Sequence, residues 1–111
     1  MKVRAQDYND VTVVELQGDL DGDSIELLQN TITDIIAKRK AGIVLDVSGV
    51  GFVDSRGLEQ LLRSRDYCNE NKCELRLAGL DENLIKILEV TQLEKKFDRY
   101  AELAEAVKSF A

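Results

Sequence analysis

The run Ile43-Val44-Leu45-Asp46-Val47 constrains this chain most. Apolar residues without alternation are how a strand covered on both faces reads, and such a strand demands helices on both sides of its sheet. The flanking sequence supplies them. Before the run, Ile25, Leu28, Ile32, Ile35 and Ile36 recur at three- and four-residue steps and make one apolar stripe. Asp23, with Glu26 three residues on, resembles a capping box that starts this helix, and Lys38-Arg39-Lys40 closes it where cations suit the negative end of the dipole. After the run, a helix from Ser55 carries Leu58, Leu61, Leu62, Arg65 and Cys68 on its inner stripe.

The remaining elements follow the same rules. Val3 to Tyr8 and Val11 to Gln17 read as two strands joined by a tight turn at Asn9-Asp10. Cys73 to Leu77 is a further strand, and Asp81 to Val90 a helix capped by Asp81 with Leu84, Ile87 and Leu88 inward. Lys96 to Tyr100 reads as a short edge strand, followed by a last helix from Ala101 with Leu103, Ala104, Val107 and Phe110 inward. This order predicts an α/β domain with a mixed sheet of four to five strands and about four helices. Proline is absent and no Gly/Ser-rich stretch intervenes, so residues 1–111 read as a single domain.

Charge and residue usage narrow the function. With 15 Lys+Arg against 21 Asp+Glu the net charge is −6, which disfavours nucleic acid and anionic lipid as partners. No apolar run approaches the ~20 residues of a membrane helix, and the N-terminus has no apolar signal region, so the expected address is cytoplasmic without direct membrane insertion. There is no histidine, which removes the commonest general base and metal ligand. Cys68 and Cys73 have no further ligand nearby and read as buried or half-buried thiols. Gly49-x-Gly51 lacks the third glycine of a dinucleotide loop, and Asp19, Asp21 and Asp23 lack the spacing of a calcium loop. The expectation is a protein that is not an enzyme and holds neither metal nor cofactor.

The most informative segment is Val50-Gly51-Phe52-Val53-Asp54-Ser55-Arg56-Gly57-Leu58, read as a glycine-containing connection from Ser48 to Asp54 that leads from the central strand into the second helix. That connection lies at the carboxyl edge of the sheet, where ligands and partners bind. Ser55 falls at the N-cap or first turn, where a helix favours negative charge. Asp54 and Ser55 therefore read either as helix caps or as the surroundings of a modification site. Leu20, between Asp19 and Asp21, is either an exposed apolar anchor or tucked under the sheet edge.

Three segments together resemble the STAS domains of the anti-sigma factor antagonist family. Gln17-Gly18-Asp19-Leu20-Asp21 is similar to its Gly-acidic-Leu-Asp segment, and Ile43 to Leu58 to its central strand and Asp-Ser-x-Gly-Leu turn. Leu84 to Leu93 is similar to its helix with a Thr/Ser-x-Leu ending. The resemblance implies a STAS-type fold and a protein that binds an anti-sigma factor with serine kinase activity while unphosphorylated. It also implies that phosphorylation of Ser55 by that partner switches the protein off and that a serine phosphatase restores it. Asp19, Leu20, Asp21, Phe52, Asp54, Ser55, Arg56 and Gly57 are the implied partner-binding residues. Arg56 after the serine, and Glu59 where the family often has glycine, depart from the pattern. The alternative is a STAS scaffold subunit of a membrane transporter or larger signalling complex, in which Ser55 is only a cap.

Overall fold

The Ile43–Val47 run lies at the middle of the sheet. A computed structural model describes residues 1–110 as five strands and four α-helices: β1 (Lys2–Tyr8), β2 (Val11–Leu20), α1 (Ile25–Ala37), β3 (Gly42–Val53), α2 (Ser55–Glu70), β4 (Glu74–Ala78), α3 (Glu82–Val90), β5 (Asp98–Tyr100) and α4 (Leu103–Lys108). The sheet order is β1-β2-β3-β4-β5. β1 pairs antiparallel with β2 from Tyr8 opposite Val11 to Lys2 opposite Gln17, while β3, β4 and β5 continue parallel to β2. Asn9 turns the hairpin in the left-handed region at φ 57°. Among the described residues no helix is long and apolar enough to cross a membrane.

Alternation on the strands divides the core in two. Val14, Leu16, Ile43, Leu45, Val47, Leu75 and Leu77 face α1, α2 and α3, meeting Leu28, Ile32, Leu58, Leu61 and Leu88 in the main core. Val11, Val13, Val44 and Ala78 face the other way, under α4. The central strand is thus covered on both faces, as its composition requires.

Several expectations need correction. The segment Ser48 to Asp54 is not a loop: β3 continues to Val53 and stays paired with β2 through two register shifts, so that Gln17 faces Gly49, Asp19 faces Phe52 and Leu20 faces Val53. Each shift absorbs an extra β3 residue, and glycines in the run disguise it as a connection. The first helix is entered through a 3-10 turn, Gly22–Ser24, capped by Asp21 rather than Asp23. On α2 the buried positions include Gln60 and Ser64, whereas Arg65 is half-buried. In α4 Ala106 is buried and Ala104 exposed.

Helices α1, α2 and α3 all end on a left-handed residue that is not glycine: Arg39, Lys72 and Gln92, at φ 58°, 58° and 59°. At the end of α3, the Leu93 N–H donates to the Leu88 carbonyl at 2.8 Å and the Gln92 N–H to Glu89 at 3.1 Å. These are the two bonds of a Schellman motif, which brings Leu93 against Leu88. Lys40 joins the end of α1 to the hairpin, donating to the Asn9 carbonyl at 2.8 Å and lying 3.7 Å from Asp7.

Beside its apolar contacts, the C-terminal segment is tied to β4 by one polar side chain. Arg76 on β4 bonds Glu74 at 2.7 Å, donates to the Ser109 hydroxyl, and sets its guanidinium 3.9 Å from the Phe110 ring. Arg76→Ala removes the cation–π contact and the bond to Ser109, a loss of about 1–2 kcal/mol. Hydrogen exchange checks this: the amides of Ala106 and Ser109 should lose protection while those of β3 keep it.

Candidate functional site

The carboxyl edge of the sheet is built around the Leu20 carbonyl. Leu20 ends β2 with its side chain wholly buried, and its carbonyl accepts the Asp54 N–H at 3.1 Å. Asp54 is extended, at φ −97° and ψ −179°, and its Oδ1 accepts the Gly57 N–H at 2.8 Å, so it is the N-cap of α2. Gly57 then passes directly over Leu20: a Cβ there would collide with the Leu20 carbonyl. Leu58 follows into the core. Each residue of Asp-Ser-x-Gly-Leu except the serine and its neighbour is therefore taken up in seating the helix on β2.

Ser55 is left as the first helical residue, exposed, and takes no part in the cap that Asp54 makes. The free N–H groups and the dipole of a sixteen-residue helix favour negative charge at this end. Arg56, also exposed, lays its guanidinium over Gly22, with Nη1 2.6 Å from where a Cβ on that glycine would sit. Asp21 beside it is held by its own turn, its Oδ1 accepting the Asp23 N–H at 3.0 Å while its N–H donates to Ser24 Oγ at 3.0 Å.

Of the residues singled out in the sequence, the fold brings Asp19, Phe52, Ser55 and Arg56 to one exposed edge. Phe52 is 54% exposed and stands opposite Asp19 in the strand register. Asp21 and Asp54 are half-buried and act as caps. Leu20 and Gly57 are corrected from partner contacts to packing residues, because both are buried against each other. Leu27 is also exposed, in the first turn of α1. It lies next to Leu28 and off the Leu28–Ile32–Ile35 stripe, which is the signal that marks it.

A groove of about 420 Å³ between α1 and α2 is lined by Gln29, Ile32, Gln60, Ser64 and Tyr67 among others. It begins more than a turn beyond Ser55 along α2 and shares no residue with the carboxyl edge.

The division of labour between Asp54 and Ser55 is measurable. Asp54→Ala should cost about 0.5–2 kcal/mol as the loss of a cap. Ser55→Ala should stay within about 0.5 kcal/mol of the parent, as a surface change that breaks no cap. Thermal or urea unfolding of the two variants checks both.

The family model described as the STAS domain matches residues 2–106. Among solved structures, the chain is similar to an anti-sigma factor antagonist from Mycobacterium paratuberculosis, with a TM-score of 0.85 at 23% identity over 97% of this chain and 92% of that one. A sulfate transporter family protein from Wolinella succinogenes matches with a TM-score of 0.83 at 17% identity, covering 92% and 85%. The phosphorylated form of the Bacillus cell fate determinant SpoIIAA matches with a TM-score of 0.76 at 18% identity, covering 99% and 100%. At these identities the structural matches establish the fold.

Proposed function

The chain belongs to the STAS domain family, and on that premise we propose that it is an anti-sigma factor antagonist whose binding to an anti-sigma factor with serine kinase activity is switched off by phosphorylation of Ser55. The observation that carries this reading is the exposure of Ser55 at the first position of α2, while Asp54, Gly57 and Leu58 around it are committed to holding the helix. A hydroxyl free of structural duty, at a helix end that favours negative charge, accepts a phosphate without a change of fold. The phosphorylated SpoIIAA structure supports the same reading, as a related fold that exists in a phosphorylated form.

The mechanism is electrostatic. A phosphate adds about −1.5 to −2 charges at pH 7, beside the carboxylates of Asp54 and Asp21 and on the same edge as Asp19. The unmodified edge presents an exposed ring, Phe52, among these carboxylates. A partner that fits it has an apolar recess with a basic or neutral rim, and the added charge in the contact opposes its return. The kinase supplies the base that activates the hydroxyl, and a serine phosphatase reverses the modification.

The test is incubation of the protein with ATP and the kinases of its own genome, followed by mass spectrometry. Phosphate on Ser55 is the expected result, and a kinase that binds the protein yet leaves Ser55 unmodified overturns the switch. Ser55→Asp should keep the fold and weaken binding by about tenfold or more, read by calorimetry. Phe52→Ala should weaken it as well, by about 1 kcal/mol or more if the ring is buried in the contact.

The likeness to the sulfate transporter family protein favours a second reading, a STAS scaffold within a transporter or larger complex. Under that reading Ser55→Ala and Ser55→Asp bind the partner equally and no kinase modifies the chain.

A further inference from the structure

Cys68 and Cys73 are five residues apart in sequence and meet at the end of α2. The Cys73 N–H donates to the Cys68 carbonyl at 2.9 Å and the Lys72 N–H to Asn69 at 3.4 Å, with Lys72 left-handed between them. This is the same Schellman arrangement that closes α3, where the two contacting positions are Leu88 and Leu93. Packing alone is thus served by leucine, and α2 carries a thiol at both positions. Both thiols are buried, at 0% and 1% exposure, and both belong to the main core.

From this geometry we propose that Cys68 and Cys73 are a redox modification site, oxidised by hydrogen peroxide to an intramolecular disulfide and restored by a low-molecular-weight thiol. The backbone bond caps the Cα separation at about 7 Å, given the bond lengths on either side of it. Disulfides span Cα separations of about 4.4–6.8 Å. The neighbouring Cys68 side chain holds Cys73 below the ordinary thiol range, while Cys73 and burial push Cys68 up. Cys73 is therefore the attacking sulfur and Cys68 the resolving one.

The step balances. The Cys73 thiolate attacks one oxygen of the peroxide, the O–O bond breaks, and the departing hydroxide takes up a proton as water, leaving a sulfenic acid on Cys73. The Cys68 sulfur then displaces that hydroxyl, which leaves as a second water with the Cys68 proton. Two thiols give up two electrons and two protons, and the peroxide is reduced to water. Access comes through the turn itself: Asn69, Glu70, Asn71 and Lys72 are all exposed, and a non-glycine residue in the left-handed region makes the turn cheaper to open. A closed disulfide would tie the end of α2 to the start of β4, opposite the end that bears Ser55. The inference does not depend on the role of Ser55.

The experiment exposes the full folded chain to hydrogen peroxide at about tenfold molar excess, then quenches it, denatures it and alkylates it for intact-mass analysis. Joint loss of both alkylation sites with a mass decrease of about 2 Da, no covalent dimer and full reversal by dithiothreitol is the expected result. Two thiols that remain alkylatable, a covalent dimer, or oxygen added at cysteine without loss of the hydrogens overturns the proposal. Single variants test the assignment of roles. Cys68→Ser should stop at a dimedone-reactive sulfenic acid on Cys73, while Cys73→Ser should leave Cys68 reduced about tenfold longer. Equal oxidation of the two variants overturns the order of attack, and a melting midpoint for each variant near that of the parent shows that both are folded.

Discussion

The contact on which the carboxyl edge depends is the passage of Gly57 over the Leu20 carbonyl. It lets a helix begin where a strand ends, with backbone against backbone and no side chain between them. Three consequences share that one contact. The Leu20 carbonyl can accept the Asp54 N–H, the Asp54 carboxylate can turn back onto the Gly57 N–H, and Leu58 reaches the core. Ser55 and Arg56 are the residues left over when these demands have been met. Their exposure is a result of the packing beneath them.

Phe52 lies on the other strand of the same edge. The two extra residues of β3 carry the strand past the end of its pairing with β4, which stops at Asp46 opposite Ala78, while pairing with β2 continues to Val53. The edge is therefore a two-stranded extension clamped by the first turn of α2. Asp19 and Phe52 on the extension and Ser55 on the helix are carried by neighbouring backbone, so a charge placed on Ser55 meets a surface of fixed shape.

Much of this was legible in the sequence. The central strand, the hairpin at Asn9, the helix from Ser55 and the cap at Asp81 follow from composition, periodicity and turn chemistry, because each of those signals is local. The extended β3 was not legible: its pairing with Gln17–Leu20 is a long-range contact, and Gly49 and Gly51 imitate a loop. Leu20 was ambiguous for the same reason, since an apolar residue between two aspartates gains its burial from a helix more than thirty residues away. Gln60 and Ser64 contradict the apolar rule on α2 because they line the groove against α1. The helix ends were blurred by the absence of glycine at all three stop positions. Asp21 rather than Asp23 caps the entry to α1 because Ser24 can answer it, a reciprocity that spacing to Glu26 does not reveal.

Those three stops have a further consequence. Arg39, Lys72 and Gln92 each hold a backbone conformation that glycine adopts without steric penalty, and all three lie on the exposed surface. The domain thus keeps a reserve of unclaimed stability at its helix ends, away from the carboxyl edge. Its margin against unfolding can drift upward or downward there while the face it presents to other molecules stays the same.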